Sequence, residues 1–289
     1  MEMDENTLRA ATENLTLPHD VIKLPTQGIF YKSKKSSLKV GYLTATDENY
    51  LMSNDNKENI VISLLRNKIY EHDLRPEELI ESDVESVLIF LRNSSFGPEY
   101  KLNLVDPKTN KLFEHTEIID TLALKECELK PDENGTFSTV LPKSNVEVKL
   151  RPITFYESVE LDKLSEKYPK GVTAPIITHR LMKEIVSIEG NSDLGNISQF
   201  VTTLPIMDSK HIRKILRENV PQLDLKRQVY APSGELVTFN VSFGVDFFRP
   251  FFWLWKTFNR GILFNVKNIK DTIFWIPENP YLHTKIYHR

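Results

Sequence analysis

Residues 90–110 read FLRNSSFGPEYKLNLVDPKTN, and residues 215–235 read ILRENVPQLDLKRQVYAPSGE. The two stretches have the same length, and in each a Leu-Arg pair is followed by a β-rich run and by a proline in a small polar turn. The matched positions are Leu91-Arg92 with Leu216-Arg217, Lys101 with Lys226, Leu104 with Val229, and Pro107 with Pro232. The pattern predicts a helix end followed by a β-hairpin twice in one chain.

The first stretch joins a predicted helix to a predicted hairpin. SDVESVLIFLRN places its apolar residues at helical intervals, and Ser82 or Asp83 is positioned to cap this helix. Phe96-Gly97-Pro98 ends the helix, because glycine and proline are unfavourable inside one. The strand EYKLNLV, the turn DPKTNK and the return strand LFEHTEI then form the hairpin.

The same order of elements surrounds both stretches. A strand leads to a threonine before an acidic helix start, at Thr44 and again at Thr154. The amphipathic helices KENIVISLLRNKIY and IITHRLMKEI follow, and then the helices that carry Asp83 and Asp208 near their starts. We interpret this order as an internal duplication of an α+β unit. The alternative is a pair of unrelated amphipathic segments.

The sequence therefore predicts an α+β fold of two related units, each made of short antiparallel strands, hairpins and helices. The first unit spans residues 21–135 and the second spans 136–246. Residues 1–20 are predicted to be a flexible N-terminal tail. Residues 247–289 are predicted to be an aromatic, helical C-terminal extension that binds a partner.

The composition indicates a globular protein and argues against nucleic acid as a general partner. The chain has 289 residues, of which 40% are hydrophobic and 27% charged, and its formal net charge is -3. That charge argues against a general nucleic-acid binder, and the basic runs KSKKSS and DSKHIRKILRE are short and flanked by acids. The polar start of the chain does not resemble a signal peptide, and no apolar run approaches the roughly 18–20 residues needed to span a bilayer. We expect a soluble protein without stable membrane insertion.

The sequence contains no recognisable catalytic or cofactor motif. Phosphate-binding loops, dinucleotide fingerprints, nucleophile elbows and zinc-protease helices are all missing. His72 lies among acids in EHDLRPEE, which we interpret as a solvated loop. Cys127 is the single cysteine, so it excludes an internal disulfide, and we expect it to be a small buried residue. We predict no catalytic residue, no metal and no cofactor.

Aromatic residues are concentrated near the C-terminus, in FGVDFFRPFFWLWKTFNRGILF. Three interpretations are open. The stripe packs on its own domain, anchors in a groove of another protein, or lies in a membrane interface. We predict partner binding by this set: Phe247, Phe248, Phe251, Phe252, Trp253, Trp255 and Phe258. We predict a structural role at the helix-to-hairpin junctions for another set: Leu91, Arg92, Phe96, Gly97, Tyr100, Leu216 and Arg217.

Several segments, taken in order, resemble the T4-type phage baseplate hub and hub-assembly protein family. They are LPTQGIFY, LTATDENYL, FLRNSSFGPEYKL, KLRPITFYESVEL and FNVSFGVDFFRP. Many members of that family carry a C-x-x-C knuckle in each hairpin turn, which holds zinc. Here the turns read DPKTN and APSGE without cysteine, so the family's metal is not carried over.

The resemblance implies a structural, non-enzymatic protein of the contractile-tail baseplate hub. Its partners would be other baseplate and tail hub proteins, with several copies arranged around the tail axis. It would be located in the virion, and in the host cytoplasm during assembly. Two alternatives are a hub assembly chaperone absent from the mature virion and, more distantly, a tail-tip peptidoglycan hydrolase.

Overall fold

The computed structural model describes residues 18–52, 60–120, 123–125, 127–169, 172–241, 243 and 245–248. It divides the chain into Met1–Pro250 and Phe251–Arg289, and every described residue belongs to the first part. None of the helices in the described part is long and apolar enough to cross a membrane.

The described residues form nine short strands and seven helices, which occur in small groups along the chain. The strands are β1 (His19–Lys23), β2 (Ser37–Gly41), β3 (Glu99–Val105), β4 (Leu112–Ile118), β5 (Phe137–Val140), β6 (Glu147–Leu150), β7 (Ile185–Ile188), β8 (Lys226–Tyr230) and β9 (Leu236–Asn240). The helices are α1 (Ala45–Met52), α2 (Ile60–Lys68), α3 (Glu81–Phe96), α4 (Phe155–Glu166), α5 (Ile176–Glu184), α6 (Leu194–Thr203) and α7 (Ile206–Asn219). Two 3₁₀ turns lie at Pro76–Glu78 and Val245–Phe248.

The strands form small antiparallel sheets. β1 pairs with β2, β3 with β4, and β8 with β9, while β5, β6 and β7 form a three-stranded sheet. The predicted α+β class is confirmed, and both predicted hairpins are present: β3–β4 turns at 106–111, and β8–β9 turns at 231–235.

One continuous hydrophobic core joins the two predicted units. Leu38, Leu64 and Leu91 contribute from the first unit, and Leu150 and Ile212 from the second, and all five are buried. Burial of such side chains from water is the main favourable contribution to folding. The division at residue 135 therefore does not separate two cores, and the internal duplication stays a prediction.

Asp83 makes a long-range contact that differs from the predicted helix cap. The N-cap of α3 is Ile80, and no side chain caps it. Instead, the Asp83 carboxylate is buried and accepts hydrogen bonds from the Thr26 backbone N–H at 3.0 Å, the Thr26 hydroxyl and the Tyr31 hydroxyl. Burial raises the pKa of Asp83. The carboxylate thus fixes the loop between β1 and β2 to the start of α3.

The second half of the chain repeats this contact at Asp208. Its carboxylate, near the start of α7, accepts hydrogen bonds from the backbone N–H groups of Lys143 and Ser144, at 2.7 and 2.9 Å. Those residues connect β5 to β6, just as Thr26 lies between β1 and β2. In each half, an aspartate near the start of the long helix holds the loop of the preceding hairpin.

The helix starts at residues 44 and 154 also match. The Thr44 N–H donates to Asp47 Oδ2 at 2.7 Å, and the Asp47 N–H donates back to the threonine hydroxyl. Thr154 and Glu157 form the same reciprocal pair, at 3.0 and 3.1 Å. Such capping satisfies backbone N–H groups that a helix start leaves unpaired. These parallel contacts support the predicted duplication.

Candidate interaction site

The junction between α3 and β3 contains a sharp change of chain direction. α3 ends at Phe96, and the Gly97 N–H donates to the Asn93 carbonyl at 3.0 Å. Gly97 has φ of +79°, a backbone conformation that residues with a Cβ atom rarely adopt. Glycine at this position therefore allows the chain to leave the helix and enter the hairpin directly.

Arg92 lies at the centre of this junction. Its side chain is fully buried, and its guanidinium donates to the Gly97 and Glu99 carbonyls, both at 2.6 Å. The guanidinium carbon lies 5.2 Å from the centre of the Tyr100 ring and 5.5 Å from that of Phe247, within the range of cation–π attraction. Burial lowers the pKa of Arg92. The side chain joins the end of α3, the start of β3 and the 3₁₀ turn at Val245–Phe248.

The last described aromatic residues pack on the chain's own junction. Phe247 is 1% exposed and Phe248 is 3% exposed. The Phe247 ring lies 4.9 Å from Phe243, 5.1 Å from Phe248 and 5.5 Å from Tyr100, measured between ring centres. Phe247 thus covers the Arg92 guanidinium, and Phe248 packs against Phe247. The other predicted anchors lie outside the described residues: Phe251, Phe252, Trp253, Trp255 and Phe258.

The second Leu-Arg pair has a different environment from the first. Leu91 and Leu216 are both buried in the core. Arg217, in contrast, has a side chain that is 70% exposed, near Glu218 on the surface. The leucines occupy similar positions, while the arginines do not. Phe96, at the end of α3, is half-buried.

The two hairpins contact each other through their inner strand faces. Glu117 on β4 forms a 2.9 Å ion pair with Arg227 on β8. His115 on β4 lies edge-on to Phe239 on β9, with 5.7 Å between ring centres, and also contacts Glu117 at 3.1 Å. The hairpins from the two predicted units therefore form one paired body, which we call the hairpin pair (residues 99–118 and 226–240).

The turns of the hairpin pair are also bonded to each other. The Ser233 hydroxyl donates to Asp106 Oδ1 at 2.7 Å, and the Ser233 N–H donates to Asp106 Oδ2 at 3.2 Å. The Lys108 N–H donates to Asp106 Oδ1 at 2.9 Å. These donors, with the Ser233 hydroxyl as the strongest influence, lower the pKa of Asp106 to about 2. Sequence reasoning missed this contact, because an aspartate before a proline in a turn indicates only a local turn.

A third contact closes the base of the hairpin pair. Leu124 and Leu223 form an antiparallel bridge, with hydrogen bonds from Lys125 N–H to the Gln222 carbonyl at 2.9 Å and from Asp224 N–H to the Ala123 carbonyl at 2.8 Å. The chain leaving the first hairpin thus runs beside the chain entering the second. Contacts at both ends hold the two hairpins in a fixed relation.

The outer faces of the two hairpins each expose an apolar pair next to the turn. Val105 lies opposite Leu112 on the first hairpin, and Tyr230 lies opposite Leu236 on the second. Leu112 is 71% exposed and Tyr230 is 73% exposed. Binding of a partner would cover these apolar side chains, and contiguous exposed apolar surface marks protein-binding sites when the patch is large.

Cys127 is exposed, so the prediction that it is buried is wrong: it lies in the connection between β4 and β5, which the core does not cover. Among the residues that the structure describes, no group of three or more His, Cys, Asp or Glu side chains is placed to hold a metal ion.

A family model described as "T4 bacteriophage base plate protein" matches residues 23–248. The match begins at the last residue of β1 and ends at Phe248, so it includes Arg92, the hairpin pair and the final 3₁₀ turn. No curated protein and no solved structure matches the chain.

Proposed function

The chain belongs to the T4 bacteriophage base plate protein family, and from this membership we propose that it is a structural component of the baseplate hub. It acts by binding neighbouring baseplate proteins during assembly and performs no bond-making chemistry. Family membership covers residues 23–248 and is the observation that carries the proposal.

The hairpin pair supports a role as a rigid binding body. Two-stranded hairpins are marginal alone in water, and packing against another element stabilises them. Here the Glu117–Arg227 ion pair and the Asp106–Ser233 hydrogen bonds connect one hairpin to the other. A body held at several points loses little conformational freedom when it binds, which favours affinity.

The aromatic residues near the C-terminus divide into two groups with different roles. Phe247 is buried against Arg92 and Phe248 is buried beside Phe247, so both pack on the chain's own fold. The five aromatic residues from Phe251 to Phe258 follow directly in the sequence. We assign partner binding to those five, because aromatic residues are enriched at the centres of protein interfaces and Trp in particular concentrates binding energy there.

Quantitative mass spectrometry of gradient-purified virus particles, compared with the infected lysate, tests this proposal. We expect a few copies of the chain per particle, in a fixed ratio to other baseplate proteins. Abundance in the lysate with absence from the particles would overturn the hub component and favour the assembly chaperone.

A further inference from the structure

A groove of about 390 Å³ lies beside the end of α3. Tyr42 and Phe96 supply aromatic walls, and Leu43 and Leu51 supply apolar surface. The Tyr42 ring packs 5.8 Å from Phe90, and its hydroxyl donates to Asp20 at 2.7 Å, so this wall is held in place. The groove is therefore shaped for an apolar side chain or a long aliphatic stem.

The charges at this groove favour a cation. Glu48 lines it, is exposed, and forms no ion pair within the described part of the chain. The groove also contains Ser94, Ser95 and Phe96, the last turn of α3, where the helix macrodipole carries partial negative charge. A lysine side chain combines an aliphatic stem with a positively charged amine, so it fits both the apolar walls and the negative charge of the groove.

The turn of the first hairpin carries the complementary groups. Lys108 and Lys111 are exposed beside the Val105–Leu112 pair. Neither lysine side chain forms an ion pair within the described residues, and the Asp106 carboxylate in the same turn accepts hydrogen bonds from Ser233 and the turn N–H groups. The turn is thus an apolar and basic projection, while the groove is apolar and acidic.

The fold prevents this turn from entering the groove of its own chain. The groove lies at Phe96, near the start of β3, and the turn lies at the far end of that seven-residue strand. At about 3.3 Å per residue, this separation is roughly 20 Å. Contact between the two surfaces therefore requires two molecules.

We propose that the chain associates head to tail, with Leu112 and Lys111 of one copy entering the Tyr42–Phe96 groove of the next, where Lys111 pairs with Glu48. This contact joins two different surfaces, so repetition gives a closed ring or an open chain of copies. The inference rests on the described surfaces and does not depend on the hub assignment.

Sedimentation equilibrium of the full chain over a range of concentrations tests the inference. We expect reversible association that weakens as salt is raised, because exposed ion pairs are screened. Glu48→Lys and Lys111→Glu should each weaken association at least about tenfold, since each places like charges together. The exposed controls Glu128→Lys and Lys130→Glu should leave it unchanged.

Mixing the two variants gives the decisive result. In an equal mixture, the unchanged turn of Glu48→Lys meets the unchanged groove of Lys111→Glu, and the reversed turn meets the reversed groove. Both contacts then pair opposite charges, so the mixture should regain the association that each variant alone has lost. Leu112→Ser provides an uncharged second variant, which should also weaken association. A wild-type chain that is monomeric at every concentration, or an oligomer that both charge variants leave unchanged, would overturn the inference. Circular dichroism of each variant separates lost association from lost folding.

Discussion

Asp106 and Ser233 lie 127 positions apart in the sequence, yet the Ser233 hydroxyl donates a 2.7 Å hydrogen bond to the Asp106 carboxylate. Each residue lies in the turn of a different hairpin, so this contact joins the two predicted units at the tips of their hairpins. The base of the hairpin pair is joined separately by the Leu124–Leu223 bridge. Together these contacts make one binding body of two hairpins.

The Asp106 contact predicts a pH-dependent contribution to stability. The pKa of Asp106 is lowered to about 2 in the folded chain. Since the folded pKa lies below the unfolded one, this stabilisation is present above the ordinary aspartate pKa and is lost as pH falls toward 2. Ser233→Ala should therefore lower the melting temperature at pH 6 and change it much less at pH 2. Thr116→Ala, exposed on β4, is the control. An effect of Ser233→Ala that is equal at both pH values would contradict the linkage.

Arg92 is expected to be far more important for stability than its sequence counterpart Arg217. Arg92→Met removes two hydrogen bonds from a buried guanidinium to the Gly97 and Glu99 carbonyls, and a hydrogen bond to a charged group contributes about 1.5–3 kcal/mol. Arg217→Met changes an exposed side chain and should stay within about 0.5 kcal/mol of wild type. Urea denaturation measures both free energies of unfolding. Equal effects would show that the junction does not depend on the guanidinium.

Phe247 and Trp255 are expected to have separate roles. Phe247→Ala removes a buried ring beside Arg92 and should lower the free energy of unfolding by about 3–5 kcal/mol. Trp255→Ala, under the proposed partner role, should leave stability unchanged and reduce the number of copies per particle. Denaturation and particle mass spectrometry provide the two readouts. Destabilisation by Trp255→Ala would assign that residue to the chain's own core.

Ionisation of Glu85 should lower the free energy of unfolding as pH rises. Burial, with a smaller effect from Glu81, raises the pKa of Glu85 to about 8. The folded chain then binds a proton that the unfolded chain has lost, so stability falls as pH rises from about 4.5 to 8. Glu85→Gln removes this titration, and its advantage over wild type should grow with pH across that range. Glu114→Gln, exposed on β4, should show no such trend. A constant difference between Glu85→Gln and wild type would contradict the prediction.

The predicted duplication implies that the Asp83 and Asp208 contacts stabilise the two halves of the chain in the same way. Asp83→Ala and Asp208→Ala each leave backbone N–H groups of a hairpin loop without an acceptor, at Thr26 in one half and at Lys143 and Ser144 in the other. Each change should lower the free energy of unfolding by about 1–3 kcal/mol. Chemical denaturation gives both values. If one variant is destabilised and the other is indistinguishable from wild type, the two contacts are not equivalent.

The sequence predicted much of the local structure. The run EYKLNLV became β3 and LFEHTEI became β4 without a change of boundary, because alternating side chains and turn residues specify a hairpin locally. Gly97 ends α3, as the glycine–proline pair indicated. In these regions the residues that decide the structure are close neighbours, so a local pattern is enough.

Long-range contacts could not be predicted in the same way. Asp83 looked like a helix cap, but its carboxylate holds Thr26 and Tyr31 from another hairpin. Arg92 and Arg217 occupy matching sequence positions, and only Arg92 is buried. Burial depends on which elements pack over a residue, and neighbouring sequence does not specify that.

The α+β class, the hairpins and most helix positions follow from local sequence, because hydrophobic period and turn chemistry act over a few residues. The resemblance to phage baseplate proteins likewise rests on short segments of sequence. The Asp106–Ser233 hydrogen bond, the Phe247 ring over Arg92 and the single core across both predicted units depend on packing. These contacts join residues far apart in the chain, and they form only when the packed fold brings them together.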